Sequence, residues 1–160
     1  MAIVVPAEGD RALTDQVAVL AIEHPGKVAV LPAAVAQGER ALLAGADALL
    51  LFDTDDHTGR PASLALRYGT LPIAPEAGAN ADYLVDHDAG SATGCALLYA
   101  AVEPFEIEGA VRRALALRAD ATAWQELLPL LMLAAPRWSS TAAVLDSLQP
   151  PADVAVPVAS

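Results

Sequence analysis

The chain has 160 residues, 55% of them hydrophobic, and carries 9 Lys and Arg against 20 Asp and Glu, a formal net charge of −11. That charge excludes the basic footprint of a nucleic-acid binder and disfavours an anionic membrane surface. The lone Cys95 excludes a disulfide framework and a multi-cysteine zinc module.

Mean hydropathy of +0.42 sets the chain apart from disordered polymers. No apolar run reaches the roughly 18 residues of a membrane span. Met1–Pro6 lacks the basic region of a signal peptide. The expectation is one cytoplasmic domain over residues 1–149, with a mobile Pro/Ala/Val tail over 150–160.

Short β-type runs alternate with helical stretches, the signature of an α/β fold with a mostly parallel sheet. Ile3 to Val5 reads as a buried strand. Gly9-Asp10 opens a helix with Leu13, Val17 and Leu20 on one face, and His24-Pro25-Gly26 stops it. Lys27 to Leu31 is a second strand. A helix through Glu39 to Ala44 ends at Gly45. Ala46 to Phe52 is the most apolar strand and is expected in the middle of the sheet. After a polar loop from Asp53 to Arg60, Pro61 suits the first turn of a helix that runs to Tyr68 and stops at Gly69. Leu71 to Ala74 is a fourth strand, followed by a loop from Glu76 to Asn80. Asp82 to Val85 and Thr93 to Tyr99 read as extended. Pro104 starts a helix with Ile107, Val111 and Leu115 on one face. Trp124 to Ala134 is a helix expected to kink or break at Pro129, and a last helix covers about Ser139 to Leu148.

In open parallel sheets ligands sit beyond the carboxyl ends of the strands. The loops at those ends are Ala7 to Asp10, Pro32 to Ala36, Asp53 to Arg60, and Pro75 to Asn80. Asp53-Thr54-Asp55-Asp56-His57 is the most polar stretch, with the chemistry of a divalent-metal site or an acid–base pair, or of a solvated loop whose carboxylates favour a helix N-terminus. Thr58-Gly59-Arg60 stands where helix amides and a guanidinium would meet a phosphate, although Pro61 contributes no N–H. Gly78-Ala79-Asn80 offers a second close approach or a plain turn. His24 and His87 read as exposed, and Cys95 as a small buried hydrophobe.

Ala44–Leu50, followed by Ala65-Leu66-Arg67-Tyr68-Gly69-Thr70-Leu71-Pro72-Ile73, resembles the C-terminal lobe of bacterial glycogen or starch synthases. These are GT-B glucosyltransferases that use ADP-glucose. Gly78, Ala81-Asp82, Val85-Asp86, Thr93-Gly94, Arg112–Leu115, Trp138-Ser139 and His24–Val28 fall in the family's order, so the likeness spans residues 3 to 148. The fold it implies is a Rossmann-like three-layer sandwich lacking the family's first C-lobe strand. Val154-Ala155-Val156 is a candidate to fill that gap, from within the chain or from a second copy.

The resemblance also assigns roles at a donor site. Asp56 stands for the family's glutamate and would face the sugar. Gly59 would give an amide to the diphosphate with Arg60 as counter-charge, and Gly78 and Ala79 would line the opposite wall, with ADP or ADP-glucose as the ligand and no metal. The departures are Glu to Asp at Asp56, His57-Thr58 for a Pro-Cys pair, and Pro61 for an amide donor. The family's N-terminal lobe and its Lys-Thr-Gly-Gly donor loop have no counterpart in these 160 residues. The expectation is a domain that is not catalytic alone, a pseudoenzyme-like module for proteins or, weakly, for a nucleotide sugar. The alternatives are half of a glucan glucosyltransferase that pairs with a separate N-lobe, and an unrelated metal or small-molecule binder using Asp53, Asp55, Asp56 and His57. Leu127–Ala135, apolar all round, is either a core-covering helix or a homodimer contact.

Overall fold

The computed structural model of the chain describes residues 1–6, 9–31, 38–88, 90–91 and 93–148. The tail 150–160, with its candidate strand Val154–Val156, and the loop Pro32–Ala36 lie outside the described residues. The chain divides into two compact units, Met1–Ala46 and Asp47–Ser160.

The first unit holds β1 (Ile3–Pro6), α1 (Arg11–Glu23), β2 (Val28–Leu31) and α2 (Glu39–Gly45). β1 and β2 pair in parallel from Ile3↔Val28 to Pro6↔Leu31. Asp10 caps α1, its carboxylate accepting from the amides of Ala12 and Leu13 at 2.8 and 3.1 Å. This gives an acceptor to two of the amide donors that a helix start leaves without partners. The expected apolar face of α1 is only partly covered, since Leu13 is 62% exposed and Val17 half-buried. Leu43 of α2 is the one buried residue among those described in this unit.

The second unit holds β3 (Ala48–Leu50), α3 (Arg60–Arg67), β4 (Leu71–Pro75), α4 (Gly78–Tyr83), β5 (Leu97–Tyr99), α5 (Pro104–Ala119), α6 (Ala121–Ala134) and α7 (Trp138–Leu148). Its sheet runs β3-β4-β5, all parallel. β4 is therefore the middle strand of this sheet and is buried at all five residues, while the more apolar β3 forms an edge. Parallel strands bond their neighbours through alternate residues. Leu71 donates to Asp47 O and Leu51 donates to Ile73 O, so the odd residues of β4 serve β3. Pro72, with no N–H, falls on the other side, where pairing to β5 begins only at Ile73. A proline in a central strand is tolerated there because it withholds no ladder bond.

Two further expectations give way, and of the kink or break expected at Pro129 the break does not occur. Gly78-Ala79-Asn80 is the start of α4, and Asp82 and Tyr83 complete that helix instead of a strand. Only Leu97–Tyr99 of the run from Thr93 is a strand; Thr93 and Ala96 make isolated bridges to Asp88 and Asp86. α6 runs unbroken through Pro129. Pro129 lies on the exposed side of the helix, where water can serve the carbonyl that its missing N–H leaves free. The core packs Ala62 and Leu66 of α3, the sheet residues Leu71, Ile73, Leu97 and Tyr99, and Trp124, Leu127 and Leu131 of α6.

Candidate functional site

The loop after β3 is organised by one carboxylate. Asp56 Oδ1 accepts from the Thr58 amide at 2.8 Å, the Thr58 hydroxyl at 2.7 Å and the Gly59 amide at 3.0 Å. These bonds, the Thr58 hydroxyl foremost, hold the Asp56 carboxyl below the usual carboxylate range, because each donor favours the ionised form. The Thr58 hydroxyl oxygen also accepts from the Arg60 amide at 3.2 Å. Asp53 makes a separate tight turn, accepting from the Asp55 amide at 2.8 Å.

Gly59 caps α3 with φ +58°, a left-handed conformation that favours glycine. A Cβ there would stand 2.6 Å from Tyr83 Cε1. Tyr83 comes from α4 and donates its hydroxyl to Gly59 O at 2.7 Å. Burial first, and the nearby Asp56 charge second, push its phenol up to about 12, so it stays a neutral donor. The start of α4 closes against the same loop. The Ala79 amide donates to Asp56 O at 2.8 Å, and a Cβ on Gly78 (φ +54°) would lie 2.7 Å from that oxygen.

Asp56, Gly59, Gly78 and Ala79 are thus brought together. Arg60 is exposed at the first residue of α3, followed by Pro61. The amides of Thr58, Gly59 and Ala79 are already engaged by Asp56, through its carboxylate or its carbonyl. Asp53, Asp55 and His57 are exposed. Among the described residues no three His, Cys, Asp or Glu side chains converge as a metal site.

Tyr83 is the member that sequence reasoning missed. Its partner lies 24 residues away, and the local pattern of Asp82–Val85 suggests an extended segment where the chain forms a helix. His24 is exposed, whereas His87, expected at the surface, is buried at 8% exposure. The His87 amide bonds Ala96 O, and Arg113 takes the neighbouring Asp86 carboxylate at 2.7 Å and the His87 carbonyl at 2.9 Å. Asp86 therefore faces outward and His87 turns in. Cys95 is buried, as expected.

In the Leu66–Thr70 run Leu66, Gly69 and Thr70 are buried, whereas Arg67 and Tyr68 are exposed. Arg67 donates to Pro136 O at 2.6 Å beyond α6, Thr70 is fully buried, and Gly69 (φ +72°) lies under Met132.

No family model matches the chain. It is 32% identical over 146 residues to a glycogen synthase of Anaeromyxobacter dehalogenans, covering 91% of this chain and 30% of that one. It is 31% identical over 127 residues to a glycogen synthase of Desulforudis audaxviator, covering 78% of this chain and 25% of that protein. The catalytic domain of Starch Synthase IV from Arabidopsis thaliana, solved bound to ADP and acarbose, superposes with a TM-score of 0.72 at 18% identity, over 87% of this chain and 29% of its own. The chain thus spans under a third of the length of these relatives. Over about nine tenths of its residues it is homologous to glycogen synthases. Its α/β fold with parallel sheets matches that starch synthase, consistent with a piece of the C-terminal lobe of a GT-B glycosyltransferase. The homology overturns the expectation of a protein unrelated to these synthases.

Proposed function

We propose, with homology to glycogen synthases over about 90% of the chain as the premise, that these residues form a glycosyltransferase-like domain that transfers no glucose alone. It works as a protein-binding module and retains at most a weak hold on a nucleotide sugar. The observation that supports this reading is the Asp56 carboxylate, which accepts both amides of the Thr58-Gly59 turn. A diphosphate would need those donors and would meet a carboxylate in their place. At ~4 Å two like charges repel by about 1 kcal/mol in water and about 4 kcal/mol near a protein surface. Glucosyl transfer also needs a donor and an acceptor positioned together with charge stabilisation of the leaving diphosphate. A sugar nucleotide that docked here would give Asp56 to the sugar, Gly59 and Arg60 to the diphosphate, and Gly78 and Ala79 to the opposite wall.

Calorimetric titration with ADP and with ADP-glucose, with and without Mg²⁺, tests the reading. The expected outcome is no heat, or a Kd weaker than about 100 μM, near −5.5 kcal/mol. Tighter binding in any condition refutes it.

A second reading is supported by the backbone of the loop and of the start of α4, where Gly59 and Gly78 are both left-handed. In this reading the domain is half of an ADP-glucose-dependent α-1,4-glucan glucosyltransferase and needs an N-terminal lobe. Glucose incorporation into glucan on adding a glycogen synthase N-lobe would favour it over the first.

A further inference from the structure

Tyr83 belongs to two surfaces at once. On one side it closes the loop after β3. Its hydroxyl donates to Gly59 O at 2.7 Å, and a Cβ on Gly59 would stand 2.6 Å from its Cε1 and 3.2 Å from its Cζ. The ring edge thus fills the space that a glycine leaves open. On the other side Tyr83 walls an open groove of about 450 Å³, together with Cys95, Leu130 and the exposed Val85 and Ala134. That volume lies inside the ~300–1,000 Å³ range of sites that admit whole ligands, so it has room for one phenol ring.

The ring can leave Gly59 without stranding a polar group. Gly59 O also accepts the Ser63 amide at 2.9 Å, so losing the phenol leaves that carbonyl with a partner. A broken hydrogen bond is expensive where it orphans a buried donor or acceptor, and here it orphans neither, since a phenol turned toward an open groove meets water. An aromatic side chain on a helix has two ordinary χ1 wells, near 180° and −60°, and passing between them needs no movement of the backbone. The loop and α4 stay joined meanwhile. The Ala79 amide donates to Asp56 O at 2.8 Å, and a Cβ on Gly78 would stand 2.7 Å from Asp56 O and 3.0 Å from Thr54 O. The movement is therefore confined to one side chain and the glycine it covers.

We propose that Tyr83 is a latch between the loop after β3 and the groove: latched, its ring seals Gly59, and released, the ring turns into the groove and uncovers Gly59. The structure holds the latched state. Anything that fills the groove keeps the latch shut, because it removes the released state from the ensemble. The two surfaces therefore communicate through one side chain. This goes beyond the binding-module reading and stands whether or not a nucleotide sugar is held.

Fluorine NMR of the whole chain labelled with fluorotyrosine tests the latch. The chain has three tyrosines, Tyr68, Tyr83 and Tyr99, and Tyr83→Phe identifies the Tyr83 resonance by its loss. Relaxation dispersion is expected to show exchange at Tyr83 and, at the same rate, at the isotope-labelled Gly59 amide. Tyr99, whose hydroxyl donates to Leu51 O from a buried residue, is expected to show none. Ala134→Trp fills the groove from an exposed position and is expected to suppress the exchange at both sites. Val85→Trp, from a residue that is also exposed, is a second filling variant with the same expected result. Tyr83→Phe keeps the ring and loses its bond, so the released population read at the Gly59 amide is expected to rise about fivefold, the worth of one hydrogen bond. Circular dichroism checks that each variant keeps its fold.

Absence of exchange at Tyr83 overturns the proposal. So does exchange at Tyr83 that Gly59 does not share, or exchange that survives in a folded filling variant. Binding or turnover of ADP-glucose by the wild type bears on the non-catalytic reading alone, and the fluorine experiment contains no nucleotide.

Discussion

At the scale of single residues, Asp56 organises the loop after β3. Its carboxylate ties the Thr58-Gly59 turn ahead of α3, and one hydrogen bond is worth about 1 kcal/mol net to stability. Asp56→Ala is therefore expected to lower stability in urea denaturation by about that amount at neutral pH. The pH dependence has a definite sign. The folded-state pKa is depressed, so the contribution is fully present above the unfolded value near 3.8 and is lost as pH falls through the folded value. The gap between wild type and variant should hold from neutrality down to the ordinary carboxylate range and close only below it. A gap that closes between pH 7 and 5 would assign the effect to another group. Tyr83 sits on the same loop with its phenol pushed up to about 12, so its bond to Gly59 persists throughout that window.

At the scale of elements, α6 separates what packing holds from what it leaves free. Leu127 and Leu131 are buried at 1% and 0% exposure, while Met132 and Leu133 are more than half exposed. Leu127→Ala should cost about 2–5 kcal/mol, because the core around it relaxes only partly into the cavity. Leu133→Ala should stay within about 0.5 kcal/mol. Chemical denaturation of the two variants checks both; a large loss at Leu133 would mean that this side is covered in solution.

The same helix shows which signals were legible in the sequence. The helix over Trp124–Ala134 was readable, as were the stops at His24-Pro25-Gly26, Gly45 and Gly69, but a stretch apolar all round did not reveal that Trp124, Leu127 and Leu131 form its buried face. Pro129 does not break the helix, because a proline interrupts a helix only where its lost bond has no substitute. α4 was hidden because six residues without a side-chain cap carry little periodicity, and Gly78 looked like a turn. Strand order was out of reach locally. β3 is the more apolar strand and β4 holds two prolines, yet the middle place of β4 in its sheet follows from pairing with partners more than twenty residues away on both sides. The candidate site was half legible. The Asp-x-x-Gly spacing and the two glycines could be read, but the inward turn of Asp56 and the reach of Tyr83 are tertiary facts.

At the scale of the whole molecule, the two units carry very different shares of buried apolar surface. The core cluster lies entirely within Asp47–Ser160, whereas among the described residues of Met1–Ala46 only Leu43 is buried. A parallel pair of strands with one face lightly covered is marginal in water, since parallel sheets owe their stability to burial on both faces. Hydrogen bonds in such a unit open without unfolding the rest. Native-state hydrogen exchange should therefore find the amides of α1 protected far less than those of β4, with α1 opening at a small fraction of the global unfolding free energy. The urea dependence should agree, shallow for α1 and near the global slope for β4, because local opening exposes little surface. Equal protection and equal slopes in both would mean that the exposed faces of Ile3, Val4, Leu13 and Leu20 are covered in solution and that the chain unfolds as one cooperative body. The shallow slope follows from the burial pattern alone, so it should survive Asp56→Ala, a change confined to the second unit.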